Sequence, residues 1–134
     1  RGDIESLEKV QKRCLRMVSN LGKMPYEARL KKVGLQSLED RRLRGDLIET
    51  YKYLNGFNDI DPTGLFSFVQ DRHSRETRSY ENNDLVAEKM KLDIRKFFFT
   101  NRVCSAWNQL PCEVRHAPSV NSFKNRYDDY INVI

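Results

Sequence analysis

The side chains able to do chemistry are few in this chain. Two histidines, His73 and His116, and three cysteines, Cys14, Cys104 and Cys112, are the whole supply of imidazole and thiol ligands. A structural zinc site needs about four such donors converging on one point, and no pair of cysteines stands at ligand spacing. Cys112 and His116 are four residues apart, but nothing supplies the other ligands, so they read as a loop thiol and an exposed imidazole. Neither a GxSxG nucleophile turn nor a glycine-rich phosphate loop is present. The expectation is therefore no catalytic residue, no metal, no cofactor and no small-molecule substrate. What the chain does hold is arginine in clusters. Arg41, Arg42 and Arg44 stand together, and Arg72, Arg75 and Arg78 recur at three-residue steps with His73 and Tyr80 between and after them. Such groups suit phosphate oxygens, with an aromatic ring to stack a base.

The elements that must position these residues come from a chain of 134 residues, a length that fits one domain with a real core. With 39% hydrophobic and 32% charged residues, wholesale disorder is excluded. Lys and Arg number 24 against 19 acids, a net charge of +5, which suits an anionic partner. The excess is modest, so only clustering would make a binding face, and a solvated mixed-charge surface is the alternative. Three widely spaced cysteines argue against a disulfide framework and for a reducing compartment. No run approaches the roughly 18 apolar residues of a spanning helix, and no signal segment opens the chain, so no membrane is expected. The chain begins Arg1, Gly2, Asp3 without an initiator Met, as expected of a piece of something longer.

Ile4, Leu7, Val10, Cys14, Met17 and Val18 recur at helical intervals and predict an amphipathic first helix. Asp3 is its expected N-cap and Gly22 its stop, with Lys9, Lys12, Arg13 and Arg16 on the opposite face. Pro25 opens a short second helix through Lys32, closed by Gly34. Ser37 with Asp40 resembles a capping box, from which a long helix runs to about Asn55. Its core stripe is Leu38, Leu43, Leu47, Tyr51 and Leu54, with Ile48 beside it and Gly56 at its end. Arg41, Arg42 and Arg44 crowd its first turns against the helix dipole, so local stability does not explain them, although Glu39, Asp40 and Asp46 are near enough in sequence to neutralise them.

Asp61 and Pro62 open one helical turn through Phe66. The polar run from Gln70 to Asp84 has no sustained period and reads as a long loop, or as a small hairpin pairing Arg78 to Tyr80 with Leu85 to Met90. Helical periodicity then returns. Phe98, Arg102, Val103, Ala106, Trp107 and Leu110 describe a buried flank closed by Pro111. Phe97, Phe98 and Phe99 cannot all face one side. Ser119 caps a last helix through about Ile131, with Val120, Phe123, Tyr127, Tyr130 and Ile131 inward. The expected fold is mostly α, a compact bundle of about five helices in a single domain. Residues 3–55 form a helical first half, 56–93 the loop or hairpin, and 94–134 a helical second half.

Taken in order, LEKVQKRCLRMV, MPYEARLKKVGLQSLEDRRLRGDLIETYKYLNG, DIDPTGLF, LDIRKFFFTNRVCSAWNQLP and SVNSFKNRYDDY resemble the extreme C-terminal region of non-LTR retrotransposon (LINE) reverse transcriptases of the Jockey-like group. The resemblance runs from about Ile4 to Tyr130. It implies a segment lying after the polymerase fingers, palm and thumb. Such a segment helps hold template RNA, target DNA or their hybrid during target-primed reverse transcription, while catalysis resides upstream. The setting implied is intracellular, nuclear and cytoplasmic. Some related elements end in a zinc knuckle, whose ligands this chain lacks. The string RYDDY at 126–130 superficially resembles the metal-binding Tyr-x-Asp-Asp box of those enzymes, but Asp128 and Asp129 fall on the outer face of the last helix and read as surface charges.

The expected contacts follow from charge clustering alone. Arg41, Arg42, Arg44, Arg95, Lys96, Arg102, Lys124 and Arg126 would form a positive surface along two or three helices, extended by Arg72, Arg75 and Arg78 in the loop. Tyr80 or an exposed Phe of the 97–99 triplet would stack an unpaired base. The partners on this reading are nucleic acid and the remainder of the reverse transcriptase polypeptide. The rival is a structural brace that packs on the polymerase thumb or binds a host protein, with its arginines matched to carboxylates and apolar patches of the first and last helices left exposed.

Overall fold

A computed structural model of the chain describes residues 2–18, 20–69, 84–89, 92 and 98–133. The described chain is mostly helical, as expected: α1 (Gly2–Met17), α2 (Tyr26–Val33), α3 (Leu38–Leu54), α4 (Phe99–Gln109), α5 (Cys112–Arg115) and α6 (Val120–Val133), with one 3-10 turn at Pro62–Gly64. It divides into two compact units, residues 1–44 and 45–134, and the division falls inside α3.

In the first unit, α1 begins at Gly2, so Asp3 is not its cap but sits in the first turn, where a carboxylate complements the positive end of the helix. The helix ends at Met17, five residues before Gly22. The chain turns at Asn20, whose φ of 66° places it in the left-handed region that Asn tolerates better than most residues. Pro25 precedes α2, and Gly34 follows it with φ 71°. Gly34 N–H donates to the Lys31 carbonyl and Leu35 N–H to that of Leu30, the paired bonds of a Schellman ending.

A small core of Leu15, Leu21 and Leu30 is completed by Arg29, buried with them. Arg29 Nε donates to the Met24 carbonyl at 2.8 Å, so the guanidinium is held by backbone oxygen. One carboxylate links all three helices: Glu8 of α1 accepts from the Tyr26 hydroxyl of α2 and, at 3.1 Å, from the Leu38 N–H that opens α3. Gln11 donates to Tyr26 Oη and to the Gln36 carbonyl, both at 3.0 Å. Ser37 Oγ accepts from Asp40 N–H at 3.1 Å and donates to the Asp40 carboxylate, so the expected capping pair forms.

This polar seam overturns one expectation. α1 turns Glu8, Gln11 and Leu15 toward its unit, and the apolar stripe expected to be its core face lies outward. Leu7 is 52% exposed, Val10 61%, Met17 80% and Val18 47%, and Cys14 is exposed as well. Within the first unit the partners of α1 are short, and they bond to its polar side.

In the second unit the core is aromatic. Tyr51 of α3, Trp107 of α4 and Tyr127 of α6 each stack on Phe123 of α6, with Tyr51 and Phe123 centroids 4.6 Å apart and Trp107 and Phe123 6.1 Å. Tyr51 Oη donates to the Ala117 carbonyl at 2.6 Å, which satisfies the one polar atom such a core would strand. Burial raises the Tyr51 pKa, partly offset by Arg126. Gly56, at φ 69°, ends α3 with a second Schellman pair, Phe57 N–H to the Lys52 carbonyl and Gly56 N–H to that of Tyr53.

Other expectations are corrected here. Phe98 is not part of the buried flank: it precedes α4 in extended backbone and is 59% exposed, while Phe99 packs with Tyr53 and Phe66. Ile131 is 40% exposed rather than inward. Cys112 opens α5 instead of lying in a loop, and His116 Nδ1 caps it 3.0 Å from the Cys112 carbonyl oxygen. The pairing of Arg78 to Tyr80 with Leu85 to Met90 lies partly outside the described residues. Within them, Leu85 bridges antiparallel to Phe68, both buried. Asn108 clamps the other edge of Leu85, accepting from its N–H at 2.9 Å and donating to its carbonyl at 2.8 Å.

Two measurements check this account. Tyr26 has its pKa raised above 10.0, first by burial and then by its hydrogen bond to Glu8. The folded state therefore holds the phenolic proton more tightly than the unfolded chain. Its stabilisation is complete below pH about 10 and is lost as pH rises through the folded value. The difference in phenolate absorbance between the wild type and Tyr26→Phe should show one tyrosine titrating late. Phe123→Ala should destabilise the second unit by about 3–5 kcal/mol in urea unfolding, whereas Leu7→Ala on the exposed stripe should change stability by less than about 0.5 kcal/mol.

Candidate nucleic-acid interface

A phosphate-binding face requires cations that are exposed and not already matched by carboxylates. Of the residues expected to build one, Arg72, Arg75, Arg78, Arg95 and Lys96, with Tyr80 and His73, lie outside the described residues. Arg41 and Arg42 are exposed on the first turns of α3, and among the described residues neither side chain makes a hydrogen bond or ion pair. Of the acids near them, Asp40 bonds Ser37 and Asp46 holds Arg102, while Glu39 is exposed. Arg44 is half-buried and interacts within the chain.

Arg102 is differently placed. Its Nε donates to Asp46 Oδ2 at 2.8 Å and its Nη2 to Oδ1 at 2.7 Å, a bidentate fork between α4 and α3. These bonds raise the guanidinium pKa above its already high ordinary value. Arg102 also lies 5.9 Å from the Phe99 ring centroid, so its position is fixed by packing as well as charge. Arg126 is exposed on α6 and donates to the Glu113 carbonyl. It lines an open pocket of about 540 Å³ together with Pro111, Asp129 and Tyr130. Lys124 is half-buried on the same helix. Arg115, not singled out in the sequence, is buried and paired with Asp84 at 2.5 Å. Sequence offered no signal for this pair, because its members are 31 residues apart.

The two units differ sharply in charge. Residues 1–44 contain twelve Lys and Arg against six Asp and Glu, a net of +6, whereas residues 45–134 contain twelve against thirteen, a net of −1. The whole positive excess of the chain therefore belongs to the first unit. Beside Arg41 and Arg42, that unit presents Lys9, Arg13 and Arg16 of α1 as exposed cations, and among the described residues none of the three has an ion-pair partner. Lys12, on the same helix, lies over the Tyr26 ring with its Nζ 4.8 Å from the centroid.

Among the described residues of the second unit, Phe57 and Phe98 are exposed. Phe98 borders a pocket of about 510 Å³ lined by Ser67, Glu88, Thr100 and Asn101 among others. Its polar groups already bond one another: Ser67 Oγ donates to Glu88 Oε1 at 3.2 Å and Asn101 Nδ2 to the Glu88 carbonyl at 3.1 Å. Asp129 is exposed and Asp128 half-buried on α6, with buried Tyr127 preceding them, the helix-surface placement the sequence suggests. Among the described residues no group of three or more His, Cys, Asp and Glu is gathered for a metal ion. No helix among them is long and apolar enough to cross a membrane.

Compared with protein-family models, curated proteins and solved structures, the chain matches none.

The two ion pairs should respond differently to neutralisation. Arg115→Met strands the half-buried Asp84 and should cost about 2–3 kcal/mol, below the roughly 3–5 typical of a fully buried pair because Asp84 keeps some water. Arg102→Gln, at a partly exposed pair, should cost about 1 kcal/mol or less. Urea unfolding of the two variants checks both values.

Proposed function

We propose that the chain is a non-catalytic nucleic-acid-binding domain, similar in role to the C-terminal region of LINE reverse transcriptases, and that its phosphate contacts are made chiefly by residues 1–44. The observation that carries this reading is the partition of charge, +6 in the first unit and −1 in the second. Exposed cations lacking carboxylate partners are free to exchange counterions for phosphates, and the released counterions supply the affinity. Arg41 and Arg42 stand where the dipole of α3 opposes them, a cost that a phosphate ligand would offset. The Glu8 carboxylate at the start of α3 lowers that cost in the absence of ligand. On this reading Arg102 and Arg115 hold the second unit together, and the domain helps position template RNA or target DNA for a polymerase whose catalytic residues lie upstream in a longer polypeptide. Its setting is intracellular, nuclear and cytoplasmic.

A second reading, a brace that contacts protein, is favoured by one specific observation: the outward apolar stripe of α1, with Leu7, Val10 and Met17 each more than half exposed.

The test is fluorescence anisotropy of the whole chain with single-stranded RNA, hairpin RNA and an RNA–DNA hybrid over a salt series. Affinity should fall steeply with salt. Replacing Arg41 and Arg42 by Gln should reduce the slope of log affinity against log salt by about 1–2, given roughly 0.7–0.9 per phosphate contact. Arg102→Gln should leave the slope unchanged. Absent or salt-insensitive binding, or an equal effect of Arg102→Gln, overturns the reading.

A further inference from the structure

We infer that the outward side of α1 is a docking surface for a partner helix that carries apolar residues along one stripe and acidic residues along one flank. Leu7, Val10, Cys14 and Met17 are spaced three, four and three residues apart, the seam spacing by which one helix packs along another. The face that α1 gives to its own unit, Glu8, Gln11 and Leu15, lies roughly a third of a turn away. Packing within the unit therefore leaves the stripe open. A contiguous exposed apolar patch on a protein surface is often functional.

Charge selects the partner. Beyond the stripe, on the side away from the packed face, Lys9, Arg13 and Arg16 are exposed along the helix, and among the described residues none has an ion-pair partner. A second copy laid antiparallel on the stripe would bring this basic flank against itself, which repels. A helix with Asp or Glu along the facing flank matches it, and complementary flanking charges are what fix pairing and orientation in helix seams. A lipid surface is the lesser fit: the stripe holds Leu, Val, Cys and Met and no Trp or Phe of the kind that anchors interfacial helices.

The experiment titrates the full chain with three designed helical peptides sharing one Leu stripe, flanked by Glu, by Lys or by Gln, and with vesicles of phosphatidylcholine containing anionic phosphatidylserine. Sedimentation velocity of the chain alone runs beside it. The Glu-flanked peptide should bind at least tenfold more tightly than the Lys-flanked one, and Val10→Glu should abolish that binding. Because Val10 is exposed, the variant should keep the wild-type circular dichroism, and the uncharged Val10→Asn should weaken peptide binding while keeping RNA affinity, which separates this surface from the nucleic-acid reading. A conservative Val10→Ile should retain peptide binding. Equal binding of all three peptides, vesicle binding without peptide binding, self-association through α1, or peptide binding indifferent to Val10→Glu would each overturn the inference.

Discussion

The second unit is organised around one buried contact, the stacking of Tyr51 on Phe123. Both rings are essentially inaccessible, Tyr51 at 1% and Phe123 at 0% exposure, and each belongs to a different helix. Stacking places large apolar area in the interior, but a tyrosine there also carries a hydroxyl that must be satisfied. The bond to the Ala117 carbonyl meets that need and anchors the segment between α5 and α6 in the same contact. Trp107 extends the stack from Phe123, and α4, so held, brings Arg102 to Asp46 and Asn108 to Leu85. The ion pair and the amide clamp are thus consequences of the aromatic packing. Their partners lie 56 and 23 residues away in sequence and would not otherwise meet.

This arrangement gives a physical meaning to the strings on which the proposed resemblance to LINE reverse transcriptases rests. In WNQLP, Trp107 enters the stack, Asn108 holds Leu85, Leu110 is buried, and Pro111 disfavours continuation of the helix through Leu110, which is extended. In RRLRGDLIETYK, Asp46 supplies the carboxylate for Arg102, Leu47 and Ile48 are buried, and Tyr51 stacks on Phe123. In SVNSFKNRYDDY, Ser119 accepts from Ser122 N–H at 3.1 Å to open α6, and Phe123 and Tyr127 pack inward. These residues build the second unit. They say little about what the chain grips, and the same holds for Arg102, whose conspicuous charge is matched within the protein.

The first unit is assembled on a different principle. Its apolar core is small, and its helices are joined through Glu8, Tyr26 and Gln11, polar groups that must each find partners as they leave water. One consequence is a helix with three distinct sides: a polar side turned inward, a basic side, and an apolar side left open. The unit keeps its apolar stripe outside and carries the full positive excess of the chain. The two proposals take its basic and apolar sides in turn.

Legibility in sequence followed the range of the interaction. The ends of α2, α3 and α6 were readable, because capping and termination depend on residues within a few positions: Ser37 with Asp40, Ser119 with Ser122, Gly34 and Gly56. The cores of α3 and α6 were largely readable from their period, since each helix had neighbours to cover its stripe. For α1 the period was correct and its orientation was not. Periodicity reports that an apolar side exists, and only packing decides whether anything lies against it. Likewise, sequence shows where arginines cluster, but tertiary structure alone decided that Arg102 and Arg115 are matched by carboxylates while, among the described residues, Arg41 and Arg42 are not. Opposite charges cancel according to distance in space, which one dimension does not contain.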